Sequence, residues 1–278
     1  MLFMNLIKSV RMAALAGLFF FSACNTREKS SENQTKMALK EETISYADDS
    51  VTMNGYVAFD GSTDKKRPII LIIHEWWGLN DYVKKRARQL AEMGYLAFAI
   101  DMYGNGQQAD NPEAAGKLAL PFYKDPGIAK TRFDAALAKI KTYPAADTNN
   151  IAAIGYCFGG AQVLNIARMG ENLNGVVSFH GNLAGVTPDK QTLKANMLVC
   201  HGEIDQFVPA TEVAEFKKQM DSIGAKYTFK SYPNATHAFT NPDATENGKK
   251  FNIPIAYNAA ADSASWNDMK LFFKEIFK

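Results

Sequence analysis

From residue 41 onward the apolar positions change period repeatedly, and each change marks an element. Pro68–Ile73 and Tyr95–Ile100 are apolar throughout, as central strands buried on both faces must be. Asn150–Ile154 and the stretches near 175–180, 196–201 and 226–232 read as further strands. Two earlier stretches, near 42–47 and 52–59, lie close enough to form an antiparallel hairpin. Helical patterns fall between them: Asp81–Met93, with Asp81 as N-cap and Gly94 as stop, then 129–142, one from about 159, 210–223 and a last from about 260. The last carries Trp266, Met269, Phe273, Ile276 and Phe277 on one face, a core-packing stripe. Residues 101–128 contain Gly104, Gly106, Pro112, Pro121, Pro126 and Gly127, which predicts a long excursion with at most a short helix; such excursions are usually functional. The alternation implies an α/β domain over residues 41–278, with a mostly parallel central sheet and helices on both faces.

The first 40 residues follow another rule. Lys8 and Arg11 precede the apolar run Met12–Phe21, which is too short to span a bilayer and reads as an export signal. It ends in Phe21-Ser22-Ala23-Cys24, small residues before a cysteine, which resembles a bacterial lipoprotein cleavage site. The expectation is a signal peptide over 1–23, lipid on Cys24, a polar tether over 24–40, and an exported protein anchored to a membrane. An ordinary secretory signal cleaved near Ala23 is the plainer alternative. Taking Lys8 and Arg11 out of the 31 basic residues leaves 29 against 29 acidic ones. That balance argues against a nucleic-acid partner, which would need a basic surface. A monomer is the expected state. Besides Cys24 the chain has Cys157 and Cys200; Cys200 ends an apolar run and reads as a buried small hydrophobe, so no disulfide is expected.

The candidate chemistry sits at strand ends. Ile151–Ile154 runs into Gly155-Tyr156-Cys157-Phe158-Gly159-Gly160, a nucleophile elbow with cysteine in the reactive position. The nucleophile occupies a strained strand-to-helix turn, and residues two away must be small for the turn to close. The helix that follows aims its N-terminus at the sulfur, which favours thiolate. Acid and histidine should follow in that order. Asp205 lies in the loop after Leu198–Gly202, and His237 in the loop after Tyr227–Tyr232, both where open α/β sheets carry their sites. The other histidines are His74, His180 and His201; the last supports the acid's loop and His180 reads as structural. His74-Glu75-Trp76-Trp77-Gly78 ends the Ile69–Ile73 strand. Its loop offers one oxyanion amide, at Trp76, and the residue after the nucleophile, Phe158, offers the other. His74, Glu75, His201 and Asp205 lack metal-ligand spacing, so no metal is expected, nor any cofactor.

Together, IIHEWWGLN (72–80), AIDMYGNG (99–106), IGYCFGG (154–160), HGEIDQFVP (201–209) and HAFT (237–240) resemble the dienelactone hydrolase family over roughly residues 41–278. The resemblance implies an α/β-hydrolase fold, a triad of Cys157, Asp205 and His237, and a further carboxylate at Glu75. By resemblance, Glu75 keeps the thiol protonated until substrate arrives and then takes its proton. The thiolate attacks an ester or lactone carbonyl, and water later releases the acid. Members that cleave dienelactone hold its carboxylate with two arginines; the matching positions here are Asn105 and Asn241. That points to a different small ester or lactone. Trp76 and Trp77 with Tyr103 and Phe239 suggest an aromatic-lined pocket, Trp77 being as suited to core packing. Tyr103, Asn105, Phe239 and Asn241 are the expected substrate contacts, and Lys124 or Lys130 could restore a positive charge. The alternative is a non-catalytic ligand-binding protein on the same scaffold. A thiol-redox role is weaker, since no C-x-x-C is present.

Overall fold

The computed structural model describes residues 37–48 and 50–277. The expected signal peptide, most of the tether and Cys24 lie outside them. Eight strands form one sheet in the order β1-β2-β4-β3-β5-β6-β7-β8. β1 (Leu39–Ala47) and β2 (Thr52–Asp60) make the predicted hairpin, and β2 pairs antiparallel with β4 (Leu96–Ile100). From β4 through β3 (Arg67–Ile73), β5 (Ala146–Tyr156), β6 (Gly175–Phe179), β7 (Asn196–Gly202) and β8 (Tyr227–Tyr232) every pairing is parallel. This is the mostly parallel sheet that the sequence predicts.

Period two explains the apolar runs Pro68–Ile73 of β3, Leu96–Ile100 of β4 and Ile151–Ile154 of β5. Ile69, Leu71 and Ile73, with Leu96, Phe98 and Ile100, enter the core on one face. Ile70 and Ile72, with Ala97, Ala99 and Ile154, enter the core on the other. The first face is covered by α2 (Pro112–Lys124), α3 (Pro126–Lys141), α4 (Phe158–Arg168) and α5 (Ala210–Ile223). The second is covered by α1 (Asp81–Glu92) and α7 (Ala259–Ile276). On α7, Met269 and Phe273 are buried, and Trp266, Ile276 and Phe277 pack partly buried beside them.

Three details differ from the sequence reading. Asn80, not Asp81, caps α1, its side chain accepting from the Val83 N–H; Asp81 sits one residue inside, where its charge suits the helix N-terminus. The excursion after β4 holds a 13-residue helix, α2, and α3 begins at Pro126 rather than near 129. The prolines that suggested breaks are largely starts: Pro112 and Pro126 stand in the first turns, behind the caps Asn111 and Asp125, where a missing N–H costs nothing. α6 (Ala244–Phe251) was not foreseen, because ATENGKKF has no apolar period long enough to read.

One buried cation ties the second face together. Arg86 on α1 reaches Asp262 on α7 at 2.5 Å and the Thr240 carbonyl at 2.7 Å. It also lies over the rings of Tyr82, Tyr156 and Trp266. A buried charge stripped of its partner typically costs about 3–5 kcal/mol, so this contact pins the segment after His237 to two helices.

Candidate active site

β5 ends at Tyr156, α4 begins at Phe158, and Cys157 alone makes the turn, at φ 53 and ψ −114. That is a conformation an L-residue adopts only under constraint, at a cost of about 1–3 kcal/mol. Small neighbours let the chain close. A Cβ on Gly155 would lie 2.0 Å from the Gly159 carbonyl oxygen, and one on Gly159 would lie 2.2 Å from that of Ile73. The Cys157 N–H is shared between the Phe179 carbonyl at 2.9 Å and His180 Nδ1 at 3.1 Å. Burial holds the His180 imidazole well below its ordinary pKa, so it stays neutral and Nδ1 can accept.

The loops after β7 and β8 bring the other two members in. Asp205 is buried; one carboxylate oxygen accepts from the Phe207 N–H and the other from His237 Nδ1, both at 2.8 Å. A carboxylate can only accept, which assigns the Nδ1 proton. His237 Nε2 lies 3.0 Å from Cys157 Sγ. Burial alone would lower the His237 pKa, but the Cys157 sulfur and the Asp205 carboxylate raise it well above 6.5. The imidazole facing the sulfur is therefore readily protonated. The backbone N–H groups of Trp76 and Phe158 have no hydrogen-bond acceptor among the described residues. Both remain free to meet a developing oxyanion.

Glu75 is buried, and burial pushes its carboxyl from the ordinary 4.5 up to about 7. A 2.6 Å hydrogen bond from Asn241 Nδ2 and the charges of His237 and Arg86 pull the other way. The hydrogen bond at Cys157 Sγ is with His237, and the one at the Glu75 carboxylate is with Asn241.

Glu75, Trp76, Trp77, Cys157 and His237 line a cavity of about 840 Å³ open to solvent. Among the described residues Glu75 is the only acidic one in its wall, and no lysine or arginine is there. None of the four expected substrate contacts, Tyr103, Asn105, Phe239 and Asn241, lines it. The Tyr103 hydroxyl donates to the Trp76 carbonyl at 2.9 Å, bracing that loop from behind. Asn105 is exposed in the turn after β4, its N–H bonded to the Thr52 carbonyl. Phe239 is fully buried between His180 and Tyr232. Asn241 serves Glu75. Lys130 is paired with Asp134 and Glu171, and Lys124 lies outside the wall. Trp77 is both buried and part of the lining. Sequence reasoning missed the lining from Ala119, Leu120 and Tyr123 on α2, and from Asn182, Phe207 and Ile255. The three-and-four spacing on α2 was readable but was masked by Pro121. The remaining histidines are engaged or packed: His74 bonds the Glu75 carbonyl and the Met102 N–H, and the His201 ring lies on Phe229. No cluster that could hold a metal ion occurs among the described residues. Cys200 is buried and its thiol is pushed up to about 12 by burial.

The sequence profile of the dienelactone hydrolase family matches residues 53–277. A putative carboxymethylenebutenolidase of Aquifex aeolicus is 28% identical over 245 residues, covering 84% of this chain and 98% of its own length. A probable 2-oxo-3-(5-oxofuran-2-ylidene)propanoate lactonase of Bradyrhizobium is 25% identical over 218 residues, 74% of this chain and 83% of its own. Among solved structures, a dienelactone hydrolase-like promiscuous phosphotriesterase from metagenomic libraries superposes with a TM-score of 0.81 at 32% identity, covering 87% of this chain and all of that one.

The raised Glu75 pKa makes stability depend on pH. A carboxyl whose folded pKa lies above its unfolded value contributes fully below about 4.5 and loses that contribution as pH rises through about 7. Glu75→Gln should therefore raise the stability from urea unfolding at pH 8, by on the order of 3 kcal/mol at most, with the gain fading toward pH 5. A variant less stable than wild type at pH 8 contradicts this.

Proposed function

Because the chain belongs to the dienelactone hydrolase family, hydrolases of esters and lactones, we propose that it cleaves small neutral, apolar esters or lactones through a thioester on Cys157. The observation that carries this reading is the pair of contacts, 3.0 Å from sulfur to His237 and 2.8 Å from His237 to Asp205, at a cavity whose described wall holds no lysine or arginine. Cys157 Sγ, paired with the protonated imidazole, attacks the carbonyl carbon. The Trp76 and Phe158 N–H groups receive the oxyanion, the arrangement that usually contributes most to such barriers. The intermediate collapses, the C–O bond breaks, and the leaving alkoxide takes the proton from His237 Nε2. Water then gives its proton to His237 and attacks the thioester carbon, and the thiolate departs as the acid is released. Asp205 holds the imidazole and stabilises its charged form without itself taking the proton.

Glu75 acts here on substrate charge. Above about 7 it is ionised at the cavity wall, unfavourable to a carboxylated substrate, and no arginine fork offsets it. The non-catalytic alternative is less well supported: a binding site needs neither a strained cysteine nor a histidine poised between it and a buried carboxylate. A second reading, hydrolysis of neutral phosphotriesters, draws on the 32% identical phosphotriesterase and on the same wall without lysine or arginine, since a triester also lacks an anionic group. We also propose, from the sequence, that residues 1–23 are removed and lipid on Cys24 anchors the domain to a membrane through the polar stretch that follows.

Matched neutral and anionic esters, such as p-nitrophenyl butyrate and its ω-carboxylated analogue, separate these ideas. kcat/KM should favour the neutral ester by on the order of 10-fold or more at pH 8, and less at pH 6, where Glu75 is protonated. A preference for the anion that survives high salt overturns the neutral-substrate reading. For the anchor, the full chain expressed with its leader in a Gram-negative host should enter the detergent phase and incorporate labelled palmitate. Cys24→Ala should do neither; a variant that stays membrane-bound contradicts lipidation there.

A further inference from the structure

α2 carries an unexplained glycine. Gly116 stands in the helix interior, a position where glycine is less favourable than alanine. Glycine is normally retained for a positive φ or a close contact, and neither applies. Gly116 is not among the glycines with positive φ, and a Cβ built on it meets no heavy atom within 4 Å. The contrast with Gly155 and Gly159, whose added Cβ atoms would overlap backbone, is sharp. What Gly116 does adjoin is the cavity that holds Cys157 and His237, together with Ala119, Leu120 and Tyr123 from the same helix. Their spacing of three, four and seven residues puts all four on one face.

That wall is held in place. Asn182 joins α2 to the β7–α5 loop, its side-chain oxygen accepting from the Tyr123 hydroxyl at 3.4 Å and its nitrogen donating to the Phe207 carbonyl at 3.0 Å. Phe122 and Tyr123 both pack edge-on against Phe158, next to the nucleophile. The space beside Gly116 therefore belongs to a fixed wall. Its neighbours are apolar, and Leu120 and Tyr123 stay 49% and 43% exposed at the rim.

We propose that Gly116 is a specificity-determining residue, and that the room it leaves in the catalytic cavity receives a bulky apolar group of the substrate, an aryl ring or a chain of about six carbons. This rests on the reading of the cavity as an ester- or lactone-hydrolysing site and names the substrate class within it. Four added methylenes, only half buried, are worth on the order of 10-fold in kcat/KM. The wild type should thus prefer six-carbon over two-carbon groups by at least about that factor.

The test compares the wild type with Gly116→Ala and Gly116→Leu on two series of esters. One lengthens the acyl group from acetyl to hexanoyl, and the other lengthens the alkoxy group from methyl to hexyl. In one series at least, Gly116→Leu should lose on the order of 10-fold on the long ester while the short one stays within about 3-fold. Gly116→Ala should fall between, and neither variant should have a lower Tm than wild type. Equal losses on short and long esters, or an unchanged length profile in both series, overturns the proposal. A second arm needs no turnover: alkylation of Cys157 by iodoacetamide and by N-hexyl iodoacetamide, read by peptide mass. The hexyl reagent should gain at Cys157 in the wild type and lose that gain in Gly116→Leu. If no ester is cleaved but this contrast holds, the hydrolase reading fails and the Gly116 assignment stands; if the contrast is missing, the assignment fails.

Discussion

Cys157 sits at φ 53 between strand and helix, and the site depends on holding it there. The turn survives because Gly155 and Gly159 let β5, α4 and the end of β3 approach within distances no side chain would tolerate. The Gly159 N–H bonds the His74 carbonyl at 3.1 Å, so the same contact that permits the strain fixes the start of the Glu75–Trp77 loop. The Trp76 N–H is thereby positioned by the start of the helix that carries the Phe158 N–H. Strain of about 1–3 kcal/mol is small beside the apolar burial on the two faces of the sheet, which is why the sheet can carry it.

Buried polar groups supply the second constraint. Neutral His180 accepts the Cys157 N–H at Nδ1, which leaves Nε2–H to donate to Thr240 Oγ1 at 2.7 Å. Thr240 Oγ1 in turn meets the Tyr82 hydroxyl at 2.7 Å, and the Thr240 carbonyl meets Arg86. Such a network is costly to break at any point. It connects the nucleophile's backbone to the segment carrying His237 and Asn241. Glu75 sits beside it as the exception, a buried carboxyl with one amide donor, whose pKa burial raises to about 7.

That Cys157, Asp205 and His237 meet at the strand ends was legible because the signals are local. Gly-x-Cys-x-Gly after an apolar run can close only one kind of turn, and Asp205 and His237 follow their strands at once. The sheet order needed more than sequence, but the continuous apolar runs of β3 and β4 already required cover on both faces. The cavity wall was not legible. α2 opens at a proline and contains another, Pro121, and a helix formed by tertiary cover does not announce itself through breakers. Asn241 was misread for a different reason. The missing arginine was visible, yet that the asparagine would turn inward to Glu75 depends on where the post-β8 loop passes, which no spacing encodes. Tyr103 and Phe239 are aromatic and near the site in sequence, but the strand ends direct both into the core.

The proposed hydrolysis requires Cys157 to carry the acyl group. Wild-type enzyme mixed with p-nitrophenyl acetate and quenched in acid within the first turnovers should show one added acetyl by intact mass, located by peptide mapping on Cys157. Cys157→Ala should show neither the adduct nor turnover, with its fold intact. Acetylation elsewhere, or steady hydrolysis by Cys157→Ala at a rate near wild type, would contradict the central claim.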